Sequence, residues 1–321
     1  MMTRAWIASI TALAVWPVQA HEVYVSSEKD NTISVIDTKS LSVVRTFPVG
    51  KRPRGIAFSK AFTHLYVCAS DSNAVQVYDA HGAHLHDLPS GEDPEQFALS
   101  PDGERLFIAN ENNEVTTIVD LATRLVVAQV AVGVEPEGVA ISPDNKLAVT
   151  TSETTNMAHI IDAATFKSIA NIAVPARPRF ARFTADGAKL WVTSEIGGTV
   201  SIIDIATMVV ERTITFKIDG VGGDHIQPVG LVFTRDGATA FVALGPANRV
   251  AVIDMKSGDV KKYILVGQRV WHLALTPEDD MLFSTNGISN DVTAINTATL
   301  RPIKSIKVGR YPWGVAVRPM P

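Results

Sequence analysis

An all-β ring of seven four-stranded units is the fold this sequence predicts, and three features predict it. β-Branched runs end at Asp37, Asp79, Asp120, Asp162, Asp204, Asp254 and Asn296, spaced by 42, 41, 42, 42, 50 and 42 residues. A second marker keeps the same interval: Pro53, Pro94, Pro136, Pro178, Pro228 and Pro312, with Val270 as a departure. Between the markers lie short alternating apolar runs and turn signals. A repeat of this length built from such pieces is a four-stranded propeller blade. The expected architecture is therefore an all-β, seven-bladed β-propeller, four antiparallel strands per blade, forming one domain over residues 21–321.

One unit, from Glu137 to Val174, shows why each element forms. Gly138-Val139-Ala140-Ile141 is a short apolar strand whose small residues suit the crowded centre of a ring. Ser142-Pro143-Asp144-Asn145 follows as a turn, with Ser at its first position and Pro presetting φ at its second. Residues 147–151 make a second strand and His159-Ile160-Ile161 a third. Asp162-Ala163-Ala164-Thr165 turns the chain, its carboxylate and hydroxyl able to bond nearby backbone N–H groups. Phe166 to Val174 forms the outer strand.

The two ends of the repeat array complement each other. Glu22-Val23-Tyr24-Val25 matches a second strand and Thr32 to Asp37 a third, whereas Gly314-Val315-Ala316-Val317 matches a first strand. Neither end completes a blade alone, so one blade is expected to be shared between N- and C-terminal strands, leaving no open edge.

Tyr24-Val25-Ser26-Ser27 followed by Asn31-Thr32-Ile33-Ser34-Val35-Ile36-Asp37-Thr38 resembles the YVTN-type propeller repeat, and Val49-Gly50, Pro53 and Gly55-Ile56-Ala57-Phe58 continue the pattern. Seven such repeats behind a secretion signal are similar to the β-propeller proteins associated with PQQ-dependent alcohol catabolism. That resemblance implies a periplasmic, non-catalytic binding or scaffold protein. The implied partners are a quinoprotein dehydrogenase, a cytochrome c or components of an ABC transport system. Other propellers leave two alternatives open: a lyase-type or haem d1-related protein that binds a tetrapyrrole, and a cell-surface interaction protein.

Met1 to Ala20 read as a secretory signal: Arg4 gives the positive region, Ala5 to Val15 the apolar stretch and Val18-Gln19-Ala20 the cleavage site. The apolar stretch is too short to span a bilayer, so no transmembrane segment is expected after cleavage. Its loss at His21 moves the net charge from −4 to −5. An acidic balance disfavours nucleic acid as a partner. Cys68 is the only cysteine, which excludes an intrachain disulfide and a Cys-x-x-Cys-His haem attachment. Catalytic motifs are missing: there is no Gly-x-Ser-x-Gly elbow, dinucleotide fingerprint, phosphate loop or His-Glu-x-x-His.

In a four-stranded blade, the loop entering the first strand and the loop between second and third strands emerge on one face. The entry loops carry Arg54; Glu95; Glu137; Arg179; His225 inside an eight-residue insertion; Arg269, Trp271 and His272; and Tyr311 and Trp313. The second set of loops adds Glu28, Asp71, Glu111, Glu153 and Glu195, replaced by Gly245 and Gly287 in the last two blades. These residues predict a polarised funnel with an acidic sector and a basic, aromatic one. Stacking and charge-assisted bonds there suit a planar, anionic ligand, with PQQ and tetrapyrroles as candidate cofactors. The bland alternative is that loop charges merely solubilise the surface. His84 and His86 share a strand face, where a surface metal site is geometrically allowed, but at the rim and away from the funnel.

Overall fold

The turn after each third strand is built by its own side chain. Asp37 accepts the Ser40 N–H, Asp120 and Asp162 accept both the N–H and the hydroxyl of Thr123 and Thr165, and Asn296 does the same for Thr299. The turn between first and second strands works likewise: Ser142 Oγ donates to Asp144 and accepts from the Leu147 N–H. These local bonds set hairpin registers, and the hairpins stack into blades. The computed structural model describes residues 20–320; the proposed signal over residues 1–19 lies outside them. No helix among the described residues is long and apolar enough to cross a membrane.

Seven sheets of four antiparallel strands result. Blade one combines the N-terminal strands His21–Ser27, Thr32–Asp37 and Ser42–Pro48 with the C-terminal strand Pro312–Pro319. Its closing register pairs His21 with Pro319, Val23 with Val317 and Val25 with Val315. Blades two to seven follow in chain order, with inner strands Pro53–Phe58, Pro94–Leu99, Pro136–Ile141, Pro178–Phe183, Leu231–Phe233 and Val270–Leu275. The core lies between blades rather than at one centre. Tyr24, Ile33 and Phe47 of blade one pack against Leu65, Val67 and Tyr78 of blade two, and Val23, Val25 and Ile36 pack against Phe283 and Val292 of blade seven.

Two features of the inner strands position the site. Each of Pro53–Phe58, Pro94–Leu99, Pro136–Ile141, Pro178–Phe183, Val270–Leu275 and Pro312–Pro319 carries a register shift near its start. There the extra residue leaves the ladder and its side chain is re-aimed. The re-aimed residues are Arg54, Glu95, Glu137, Arg179, Trp271 and Trp313. One step on, the ring reads Gly314, Gly55, Gln96, Gly138, Phe180, Gly230, His272. A Cβ on Gly138 would stand 2.8 Å from the Arg179 carbonyl oxygen, and one on Gly230 2.8 Å from that of Trp271. Glycine therefore lets neighbouring inner strands touch, while Gln96, Phe180 and His272 fill the axis between them.

Candidate functional site: an ionic lid over an aromatic channel

Backbone bonds bring the charged loops together. Arg52, Asp93, Arg177, Arg269 and Tyr311, at the ends of their entry loops, hold left-handed backbone with φ of 50–60°. Their N–H groups donate to the side-chain oxygens of Asn31, Asn73, Asn156, Asn248 and Asn290 from the preceding blade. Their carbonyl oxygens accept N–H groups from the second-to-third-strand loop of their own blade: Ser70, Glu111, Glu195, Gly287 and Glu28. Glu153 is held the same way, by the carbonyl of Glu135. Ser70, not Asp71, thus occupies the position equivalent to Glu28 and Glu111. Asp71 sits one residue further on and is half-exposed.

The charges do not separate into sectors. They interleave. Arg54 lies 2.9 Å from Glu28 and 2.5 Å from Glu95. Arg179 stands at the centre, with Glu137 at 2.9 Å, Glu153 at 3.1 Å and Glu195 at 3.0 Å. Arg177 also reaches Glu153 and Glu195, and Arg52 reaches Asp71, Asp93 and Glu95. Arg269 bonds Glu195 at 2.6 Å and the Gln227 side-chain oxygen at 2.7 Å. The expected polarised funnel is corrected accordingly. An arginine side chain is long enough to cross to the next blade, so neighbouring charges of opposite sign neutralise one another and form a lid.

Eight carboxyl groups meet five guanidinium groups in this lid. With acids in excess and buried, some are driven toward the neutral form. Desolvation, reinforced by Glu137 and Glu111, pushes Glu95 well up despite Arg54. Desolvation also raises Glu153 to about 8, with Glu137 and Glu195 adding to it against Arg179 and Arg177. Glu137 goes the other way: burial would raise it, but Arg179 and Arg54 hold it below its ordinary value. For Arg54 and Arg179 the carboxylates outweigh desolvation and keep both pKa values raised. Ligand atoms of Asp93, Glu95 and Glu111 lie within 4.8 Å of one another, a spacing a metal would accept, yet Arg52 already engages two of them.

Aromatic rings seal the lid from below. The Arg269 and Arg179 guanidinium carbons stand 4.3 and 5.4 Å from the Trp271 ring centroid, and that of Arg54 lies 5.3 Å from Trp313. Trp271 fits because Gly287 faces it; a Cβ there would collide with the indole. His272 packs 4.1 Å from Trp313 and 5.5 Å from Phe180, centroid to centroid. Burial, with the charges of Arg179 and Arg54, lowers its pKa to about 3, so it is neutral at physiological pH. Among the described residues, the buried His272 Nε2 and Trp313 Nε1 have no hydrogen-bond partner.

Nine of the ten residues singled out from sequence therefore lie in or on this assembly: Arg54, Glu95, Glu137, Arg179, Arg269, Trp271, His272 and Trp313 within it, and Tyr311, 43 % exposed, above it. His225 does not join. It is exposed on a short 3-10 turn, paired with its neighbour Asp224 at 3.0 Å. At the rim, exposed His84 bonds Asp87 at 2.7 Å.

Beneath the lid runs a channel of about 500 Å³ that opens on the opposite face, among the turns that carry Phe62, Arg235 and Asp279. Phe58, Phe97, Phe180 and Phe233 wall it. Sequence reading singled out none of these wall residues, nor Arg182, which also lines the channel. Its position is Ala57, Ala98, Ala140, Val232, Ala274 or Ala316 in the other blades. That one long side chain in a ring of small ones was the available signal.

No family model and no curated protein matches the chain. Among solved structures, a chain of Kuenenia stuttgartiensis hydrazine synthase aligns with a TM-score of 0.75 at 20 % identity, covering 91 % of this chain and 99 % of that one. A functionally unknown protein from Desulfotomaculum acetoxidans DSM 771 aligns with a TM-score of 0.78 at 17 % identity, covering 93 % and 99 %. At such identities the likeness is one of fold: this is a seven-bladed β-propeller.

Proposed function

We propose that the protein is a periplasmic binding and scaffold propeller without chemistry of its own, serving PQQ-dependent alcohol oxidation by docking a quinoprotein dehydrogenase on its lid face. One observation carries the docking: the face is filled by mutually paired charges and bordered on four of its seven blades by exposed apolar side chains. Val134, Ile196, Ile288 and Tyr311 are 37 %, 59 %, 53 % and 43 % exposed, all on loops of this face. A closed surface with an apolar rim suits a macromolecule better than a small ligand. The pairing fits a role without chemistry: His272 is neutral and buried, and Glu95, Glu137, Glu153 and Glu195 are engaged with arginines. The PQQ context and the periplasmic address rest on the repeat resemblance and the N-terminal signal pattern.

Sedimentation of the protein with a purified PQQ dehydrogenase and its cytochrome c tests the reading. A complex is expected, and Ile196→Asp with Ile288→Asp should weaken it by about tenfold or more. If no complex forms, or the variants bind as well as the parent, docking on this face is wrong. Absorbance titration with PQQ and haem separates the small-ligand alternative. Tight binding that is lost in Arg269→Ala would move the site from a partner to a cofactor.

A further inference from the structure

We propose that the central channel is a second, separate site, one that binds a small aromatic carboxylate through Arg182. The guanidinium has no acidic partner: its one hydrogen bond among the described residues runs from Nη1 to the Leu231 carbonyl oxygen at 3.2 Å. The Arg182 side chain is exposed along the channel. A guanidinium exposed to the channel with no carboxylate beside it keeps its N–H fork free for an incoming anion. Every arginine of the lid has such a partner; Arg182 lacks one.

The rest of the channel defines the anion's body. In a ring of seven, blade five stands across the axis from the junction of blades one and two. There Gly55, Ala57, Gly314 and Ala316 leave the wall bare, so free space lies in front of the Arg182 fork. Phenylalanine rings on both sides offer faces for stacking. The volume of about 500 Å³ falls in the range of small-ligand sites. Planar guanidinium geometry favours a carboxylate, which accepts two parallel N–H bonds. Arg235 at the mouth is 70 % exposed with Asp279 at 3.7 Å, so it can draw anions inward but is already partly paired.

Calorimetric titration with benzoate and with benzamide, its uncharged counterpart of like shape, tests the site. Benzoate should bind one per chain and about tenfold or more tighter than benzamide. Arg182→Ala should remove that preference while its thermal melt stays that of the parent, and Arg182→Lys should fall between. The lid variant Ile196→Asp should leave benzoate binding unchanged, so loss of partner docking and loss of channel binding are read separately. Equal affinity for the two probes, no saturable benzoate binding, or benzoate binding retained in Arg182→Ala would each overturn the proposal. The comparison of probes on the parent protein stands even if a variant fails to fold.

Discussion

Arg179 is the residue on which most of the lid converges. Its guanidinium separates Glu137, Glu153 and Glu195, each within 3.1 Å of it. Arg179→Ala would leave three buried carboxyls facing one another, and breaking a buried pair in this way costs about 3–5 kcal/mol. The variant should recover part of that loss on acidification, because protonation removes the repulsion. Urea melts at pH 5 and pH 8 check this; a deficit no smaller at pH 5 would show that packing rather than charge is responsible. Gly287→Ala probes the neighbouring contact. Moving the Trp271 indole should cost about 1–3 kcal/mol and shift tryptophan emission. At this scale, sequence identified which charges share a face but not how they pair. Pairing depends on side-chain reach across blades, which no spacing encodes. The Arg182 position was visible in the repeats, where a lone arginine on a short strand passes for a surface residue.

Between blades, the recurring device is a bond between two strained turns. Asn156, at φ 57°, accepts the N–H of Arg177, at φ 60°, and four other junctions repeat it. A non-glycine residue held left-handed is unfavourable in isolation and persists because its surroundings fix it. Asn156→Ala removes the acceptor and also a residue type that tolerates this backbone. It should destabilise by about 1–2 kcal/mol, read as a lower denaturation midpoint with unchanged slope. An unchanged midpoint would mean that the blade interface is held by its apolar core alone. The asparagine was legible as part of the repeat phrase. Its role was not, since the phrase does not show that its partner lies one blade ahead. The device is missing at two junctions: before Pro136–Ile141, where Glu114 stands in the asparagine's place, and before Leu231–Phe233, where Gly198 does and the chain carries the insertion that holds His225.

For the molecule as a whole, closure was readable because matching Gly314–Val317 to a first strand needs only strand order, and the register of His21–Ser27 against Pro312–Pro319 bears it out. Deleting residues 312–321 should abolish cooperative unfolding by exposing two sheet edges, as followed by circular dichroism. Two buried groups also set opposing pH trends. His272 has a folded pKa of about 3 against an ordinary 6.5, so its contribution is complete above pH 6.5 and lost as pH falls toward 3. Glu153, raised from 4.5 to about 8, contributes fully below pH 4.5 and loses that contribution as pH rises toward 8. Glu95 is pushed up by the same burial and its trend adds to that of Glu153, so the melting temperature should peak near pH 4.5 and fall on either side. His272→Leu should flatten the acid side and steepen the fall between pH 4.5 and 6.5, and a parent profile that rises steadily through neutrality would contradict the Glu153 assignment.

Gly314 and Gly55 stand side by side, the one place where small and bulky residues fail to take turns around the axis. Parity requires such a place. An even number of blades closes a two-step alternation without remainder, but seven cannot. The leftover gives an otherwise repetitive ring a fixed direction across its bore, and a molecule entering from the open end meets a hollow side and a charged side, not a uniform tube.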